Sequence, residues 1–182
     1  MLGLIVGIKH IPRGPVNFLV PEFVRTVEQA VALYETAREN LGHATRDGAL
    51  VGFVRASGDL EVAYMVLNKA MRIGEALVAS EQTILPKDRL PSEAARRKLR
   101  LMRNAIEHEV EPIKEGRGGE GEALALEVRA SFARIADESG MHVAEHHELA
   151  GWVRALHGLA TDLVAEPETW FRGSVDGARS AG

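Results

Sequence analysis

The stretch from Asp59 to Ser80, DLEVAYMVLNKAMRIGEALVAS, decides the fold class. Leu60, Tyr64, Leu67, Met71 and Val78 recur at three- and four-residue spacing and form one helical stripe; Val62, Val66, Ile73 and Leu77 form a second. A helix that is apolar on two sides has neighbours on two sides, so it belongs at the centre of a bundle. Ser57-Gly58-Asp59 supplies an amino-terminal cap for it.

Working outward, Pro21 to Arg46 is also helical, with Val24, Val27, Val31, Tyr34 and Leu41 on one face, and Asp47-Gly48 ends it. Gly48 to Ser57 reads as a short link. A loop from Glu81 to Leu90 precedes a third helix, which Ser92 caps and which runs to Glu111 before Pro112. Leu99, Met102 and Ile106 face the core. The polar Gly-rich run Lys114 to Glu122 then breaks the pattern. From Leu124 to Val128 the period changes to alternation, the mark of a strand. Phe132 to Ala136 and Met141 to Ala144 flank Asp137-Glu138-Ser139-Gly140, a hairpin turn. The last helix, His147 to Ala165, buries Leu149, Trp152, Val153, Leu156, Leu159 and Leu163 and stops at Pro167.

The expected architecture is mainly α: an up-and-down four-helix bundle with a small β-hairpin insertion (123–145) before the last helix. It makes one domain, 1–172, with an N-terminal arm (1–20) and a flexible tail (173–182). At 182 residues the chain has the length of about one domain and can bury about 70% of its unfolded surface. Its 46% hydrophobic and 26% charged residues exclude a wholly disordered chain. The absence of cysteine excludes disulfide scaffolds, thiolate metal sites and cysteine nucleophiles. A net charge of −4 means that any nucleic-acid binding must be local. Met1 to Ile8 is apolar but lacks a basic leader and is cut short by Lys9, so it reads as a strand or docked arm. No apolar run reaches the length of a membrane span, and the expected compartment is the cytoplasm.

The chemistry is densest in the third helix. Arg96, Arg97, Lys98, Arg100 and Arg103 precede Glu107, Glu109 and Glu111. This order opposes the helix dipole, which favours acids early and bases late. A solvated, salt-bridged face accounts for the charges, with Arg103 and Glu107 as an i,i+4 pair. Arg103-Asn104-Ala105-Ile106-Glu107-His108 also resembles the signature of the HEPN superfamily: arginine, a polar residue, three variable residues, histidine. Arg38 and His43 share the spacing, but in the second copy the polar residue after the arginine is Asn104, and that copy sits on the third helix of four with Leu99, Met102 and Ile106 at core spacing. Glu148 to His157 is similar to the final helix of bacterial HEPN-like proteins.

The resemblance spans residues 22–165, and its diagnostic part is six residues long. It implies a compact helical bundle and a metal-independent endoribonuclease of toxin–antitoxin or phage-defence type. Arg103, Asn104 and His108 would be catalytic, Arg96, Arg97 and Arg100 would bind RNA, and no cofactor or metal would be used. Partners would be RNA, a second copy of the chain and an antitoxin or inhibitor protein. Other HEPN proteins have lost catalysis and serve as dimerisation or partner-binding modules, which is the alternative.

The chemistry suits these residue types. RNA can be cleaved by its own 2′-hydroxyl, given a base, an acid and positive charge on the phosphorane. Imidazole serves as base or acid near neutral pH, and guanidinium matches phosphate oxygens. One histidine cannot do both jobs in one step, so a homodimer is expected. Glu107 and Glu109 beside His108 would repel RNA phosphates. A third reading is a metal-binding bundle using His142, His146 or His147, close together in sequence with Glu145 and Glu148. His157 reads as a packing residue, and Gly116-Arg117-Gly118-Gly119 lacks the lysine and serine of a phosphate loop.

Overall fold

Two long helices carry the molecule, and the sequence explains why they lie so close. In the computed structural model, which describes residues 14–48, 50–108, 126–137 and 139–172, α1 spans Val16–Asp47 and α2 spans Leu50–Ala79. Gly48 joins them with φ 64°, a left-handed conformation that glycine adopts without penalty, and its N–H closes on the Ala44 carbonyl at 2.9 Å. The helices then run back antiparallel. A Cβ on Gly52 would stand 2.7 Å from the Ala44 Cβ, so only glycine permits this approach. Farther along, Asn40 donates to Asp59 at 2.7 Å, and Lys69 reaches Glu22 at 2.6 Å.

Both helices begin earlier than the sequence suggests. Residues 16–20, expected in the N-terminal arm, form the first turn and more of α1, because Val16 and Val20 are buried and hold it. Pro21 therefore lies inside the helix. The expected link from Gly48 to Ser57 is helical from Leu50 onward. Ser57 and Asp59 do not cap α2: the Ser57 hydroxyl donates to the Leu126 carbonyl at 2.7 Å, and Asp59 receives Asn40. Of the second stripe, Leu77 is buried but Val62 is exposed, in line with Val51, Val54 and Met65 on the same outward face.

After a 3₁₀ turn at Lys87–Arg89, α3 spans Glu93–Glu107. Ser92 caps it as expected, accepting from the Ala95 N–H at 3.2 Å. Leu99, Met102, Ala105 and Ile106 are buried. The helix ends at Glu107, with His108 as its carboxyl cap.

Strands β1 (Glu127–Val128), β2 (Phe132–Asp137) and β3 (Gly140–Glu145) form an antiparallel sheet in that order. The expected hairpin is thus the larger part of a three-stranded sheet. Ala133, Ile135 and Ala144 are fully buried on its inner face, which packs against α3. Ser57 fastens the start of β1 to α2.

Helix α4 (His146–Ala165) opens with a reciprocal capping box between Glu145 and Glu148. Pro167 does not end the helical structure outright but opens a short α5 (Pro167–Trp170). Phe171 then bridges to Thr83, Trp170 accepts from the Ile84 N–H at 3.0 Å, and Arg89 lies over the Trp170 ring. The protein is mainly helical with a small antiparallel sheet. Among the described residues no helix is long and apolar enough to cross a membrane. The arm before residue 14, helix positions 109–111, the Gly-rich run 114–122, positions 124 and 125 and the tail 173–182 lie outside the described residues.

Candidate functional site

The residues of the Arg103–His108 motif sit on the last turn of α3. That turn is solvent-facing because the buried positions Met102, Ala105 and Ile106 occupy the opposite side. Arg103 is about one-third exposed, and Asn104 and His108 are exposed. The Arg103 guanidinium contacts the Glu107 carboxylate at 2.5 Å, the i,i+4 pair that the spacing predicts, and donates to Asn104 Oδ1 at 3.0 Å. The backbone N–H of His108 closes the helix on the Asn104 carbonyl at 3.1 Å.

Arg103 and Glu107 line one side of a cleft of about 570 Å³ between α2 and α3, which Leu19 of α1 also borders. Lys69 and Arg72 of α2 line the other side, with Met65 between them and the outward apolar run. The sequence reading missed this pair. Positions 69 and 72 lie beside the Val62, Val66, Ile73 and Leu77 stripe, whose apolar pattern points to the core. Lys69 is held by Glu22, and the hydrogen bonds from Arg25 and Lys69 pull the Glu22 carboxyl down to about 2. Arg72 makes no ion pair with any described residue.

The three arginines expected to hold RNA are not equivalent. Arg96 is only about 20% exposed; its Nε lies 3.1 Å from Glu75, and it donates to the Pro91 carbonyl at 3.2 Å. It fastens the start of α3 to α2. Arg100 lies 3.9 Å from the same carboxylate, and Arg97 is exposed. Arg96 and Arg100 thus converge on Glu75, while Arg103 alone of the cations on α3 lines the cleft.

The histidine-rich segment does not make a metal centre. His142 points to Asp137 at 2.9 Å, His146 Nε2 lies 2.8 Å from the Arg129 carbonyl, and His147 pairs with Glu145 at 3.0 Å. The strand-to-helix junction at Glu145 and His146 sends them in three directions. Among the described residues, no group of three or more histidine or carboxylate side chains is arranged to hold a metal ion.

Ser139, His142 and Asp137 resemble a nucleophilic triad in composition only. The serine hydroxyl and the aspartate both meet Nε2 of His142, whereas a relay needs them on opposite ring nitrogens. Asp137 also accepts the Ser139 N–H at 2.7 Å. Burial raises its carboxyl, but hydrogen bonds from Ser139 and His142 outweigh that and leave it below the ordinary range. The cluster is a hairpin fastener.

No protein-family model matches the chain, and neither a curated protein nor a solved structure is significantly similar to it. The functional reading therefore rests on the residues themselves.

Proposed function

We propose that the protein is a metal-independent endoribonuclease of HEPN type, a homodimeric four-helix-bundle enzyme acting in the cytoplasm as a toxin or phage-defence component restrained by an antitoxin or inhibitor protein. The observation that carries the proposal is that Arg103 lines a cleft whose far wall is Lys69 and Arg72, with His108 exposed at the carboxyl end of the same helix. A basic cleft of this kind attracts a phosphodiester, and Arg103 meets the scissile phosphate with a planar fork. His108 takes the 2′-hydroxyl proton, the 2′-oxygen attacks phosphorus, and the 5′-oxygen leaves as the same imidazole of a second copy protonates it. The products are a 2′,3′-cyclic phosphate and a free 5′-hydroxyl. Arg103 stabilises the crowded phosphorane between them.

The homodimer has its own support. Val51, Val54, Val62 and Met65 form an exposed apolar run along α2, and Met65 lines the Arg103 cleft. A second copy seated on this run would lie next to the site. The Arg103–Glu107 pair favours a second reading, a non-catalytic HEPN-like dimerisation or partner-binding module, because a neutralised arginine is a weaker phosphate ligand.

Incubation of the pure protein with mixed RNA, with and without chelator, separates the two. Cleavage that survives chelator and falls about 100-fold or more in both Arg103→Ala and His108→Ala is the expected result. Binding without cleavage under every condition overturns the ribonuclease and leaves the module.

A further inference from the structure

A second cleft, of about 600 Å³, lies between α1 and α4 and shares no lining residue with the Arg103 cleft. Arg38 and Arg46 project into it from α1, and Arg154 and His147 from α4. None of the three arginines makes an ion pair with a described residue. Arg25, Arg89, Arg96, Arg103, Arg129 and Arg134 each meet a carboxylate, whereas Arg55, Arg72, Arg97 and Arg172, like these three, meet none among the described residues; what sets these three apart is that they line one cleft.

Two of the guanidiniums have a fixed neighbour. Arg38 lies over the Tyr34 ring, 5.7 Å from its centroid, and Arg46 is 3.2 Å from His43 Nδ1. Arg38 and Arg154 line the same cleft as Tyr34 from different helices; burial pushes the Tyr34 phenol up, and the two positive charges oppose that only in part. The carboxylates nearby are committed or set aside. Glu145 holds His147 and Glu148 pairs with Lys98; Glu35 and Glu39 line an adjoining groove that shares Arg38 and Arg46 with this cleft, but neither forms an ion pair with them.

We propose that this cleft binds a small phosphorylated ligand of mononucleotide size. Three guanidiniums that line one cleft without a carboxylate partner among the described residues repel one another, and a bound phosphate relieves that repulsion while using their fork geometry. The volume falls within the usual range for small-molecule sites. Leu41 and Ala150 offer an apolar wall for the organic part of the ligand. The proposal is independent of the ribonuclease reading.

The test is calorimetric titration of the full chain with ADP, with pyrophosphate and with sodium sulfate at matched ionic strength. Tighter binding of ADP and pyrophosphate than of sulfate is expected, weakened about tenfold or more in Arg38→Gln and in Arg154→Gln and unchanged in Arg55→Gln, an exposed arginine that lines neither cleft. Neither cleft arginine gives up an ion pair on substitution, and circular dichroism checks that each variant is folded. Equal binding of all three anions, no binding, or binding insensitive to both cleft variants overturns the proposal. So does binding of an RNA oligonucleotide alone, which would make the cleft part of a nucleic-acid track.

Discussion

Arg103 and Glu107 meet at 2.5 Å, one turn apart at the lip of the α2–α3 cleft, so the arginine best placed for phosphate is already neutralised by its neighbour. An i,i+4 pair of this exposure contributes only about 0.3–0.5 kcal/mol. A phosphate can therefore displace the carboxylate at small cost. In Glu107→Gln the RNA affinity should rise about two- to fivefold at low salt, and stability should change by no more than about 0.5 kcal/mol. Filter binding at two salt concentrations measures this. An affinity that does not move means that Arg103 makes no contact with RNA.

The Gly52–Ala44 contact sets how closely the two long helices pack. In Gly52→Ala the new methyl group collides with Ala44, at an overpacking cost of about 1–3 kcal/mol that exceeds the gain of about 1 kcal/mol in helix propensity. Urea unfolding should show net destabilisation. Adding Ala44→Gly should recover part of the loss, because it clears the space that the methyl group needs.

Acid should loosen the α1–α2 pairing through Glu22. Its carboxyl is held at about 2, below its ordinary 4.5, by hydrogen bonds from Arg25 and Lys69. A lowered carboxyl stabilises the fold fully above 4.5, and the contribution disappears as pH falls from there toward 2. Glu127, Asp137 and Glu148 are lowered as well and act in the same direction. The melting temperature should drop across this window, and drop less in Glu22→Gln. The difference should be modest and should shrink in salt, because Arg25 and Lys69 are more than half exposed. An identical drop in both proteins would remove Glu22 as a cause.

Ser57 should prove to be a fastener for the sheet. Ser57→Ala leaves the Leu126 carbonyl without its 2.7 Å donor, at a cost of about 1 kcal/mol. Hydrogen exchange should accelerate in β1 and not in α4. Uniform acceleration would mean global destabilisation instead.

That serine also shows where sequence reading reaches its limit. Ser57-Gly58-Asp59 has the local chemistry of a helix cap, yet its side chains are used by Leu126 and Asn40, partners 69 and 19 residues away. Nothing local reports such bonds. Ser92 has the same chemistry and does cap α3, because its hydroxyl finds the Ala95 N–H three residues on. The turn at Asp137 was legible for the same reason: its carboxylate bonds to Ser139. The Arg103–Glu107 pair follows from one-turn spacing. Lys69 and Arg72 join that site only because α2 lies beside α3, and the histidines at 142, 146 and 147 separate because strand geometry gives way to helix between them.

The hairpin of α1 and α2 has a consequence for how the chain acquires its shape. Its contacts begin eight residues apart at Ala44 and Gly52 and close outward like a zip, so little loop entropy opposes each step. By the time residue 79 has left the ribosome the scaffold can already be standing. The turn bearing Arg103 and His108 arrives later, onto a surface prepared for it, and the arginine-lined cleft against α4 is the last to be completed.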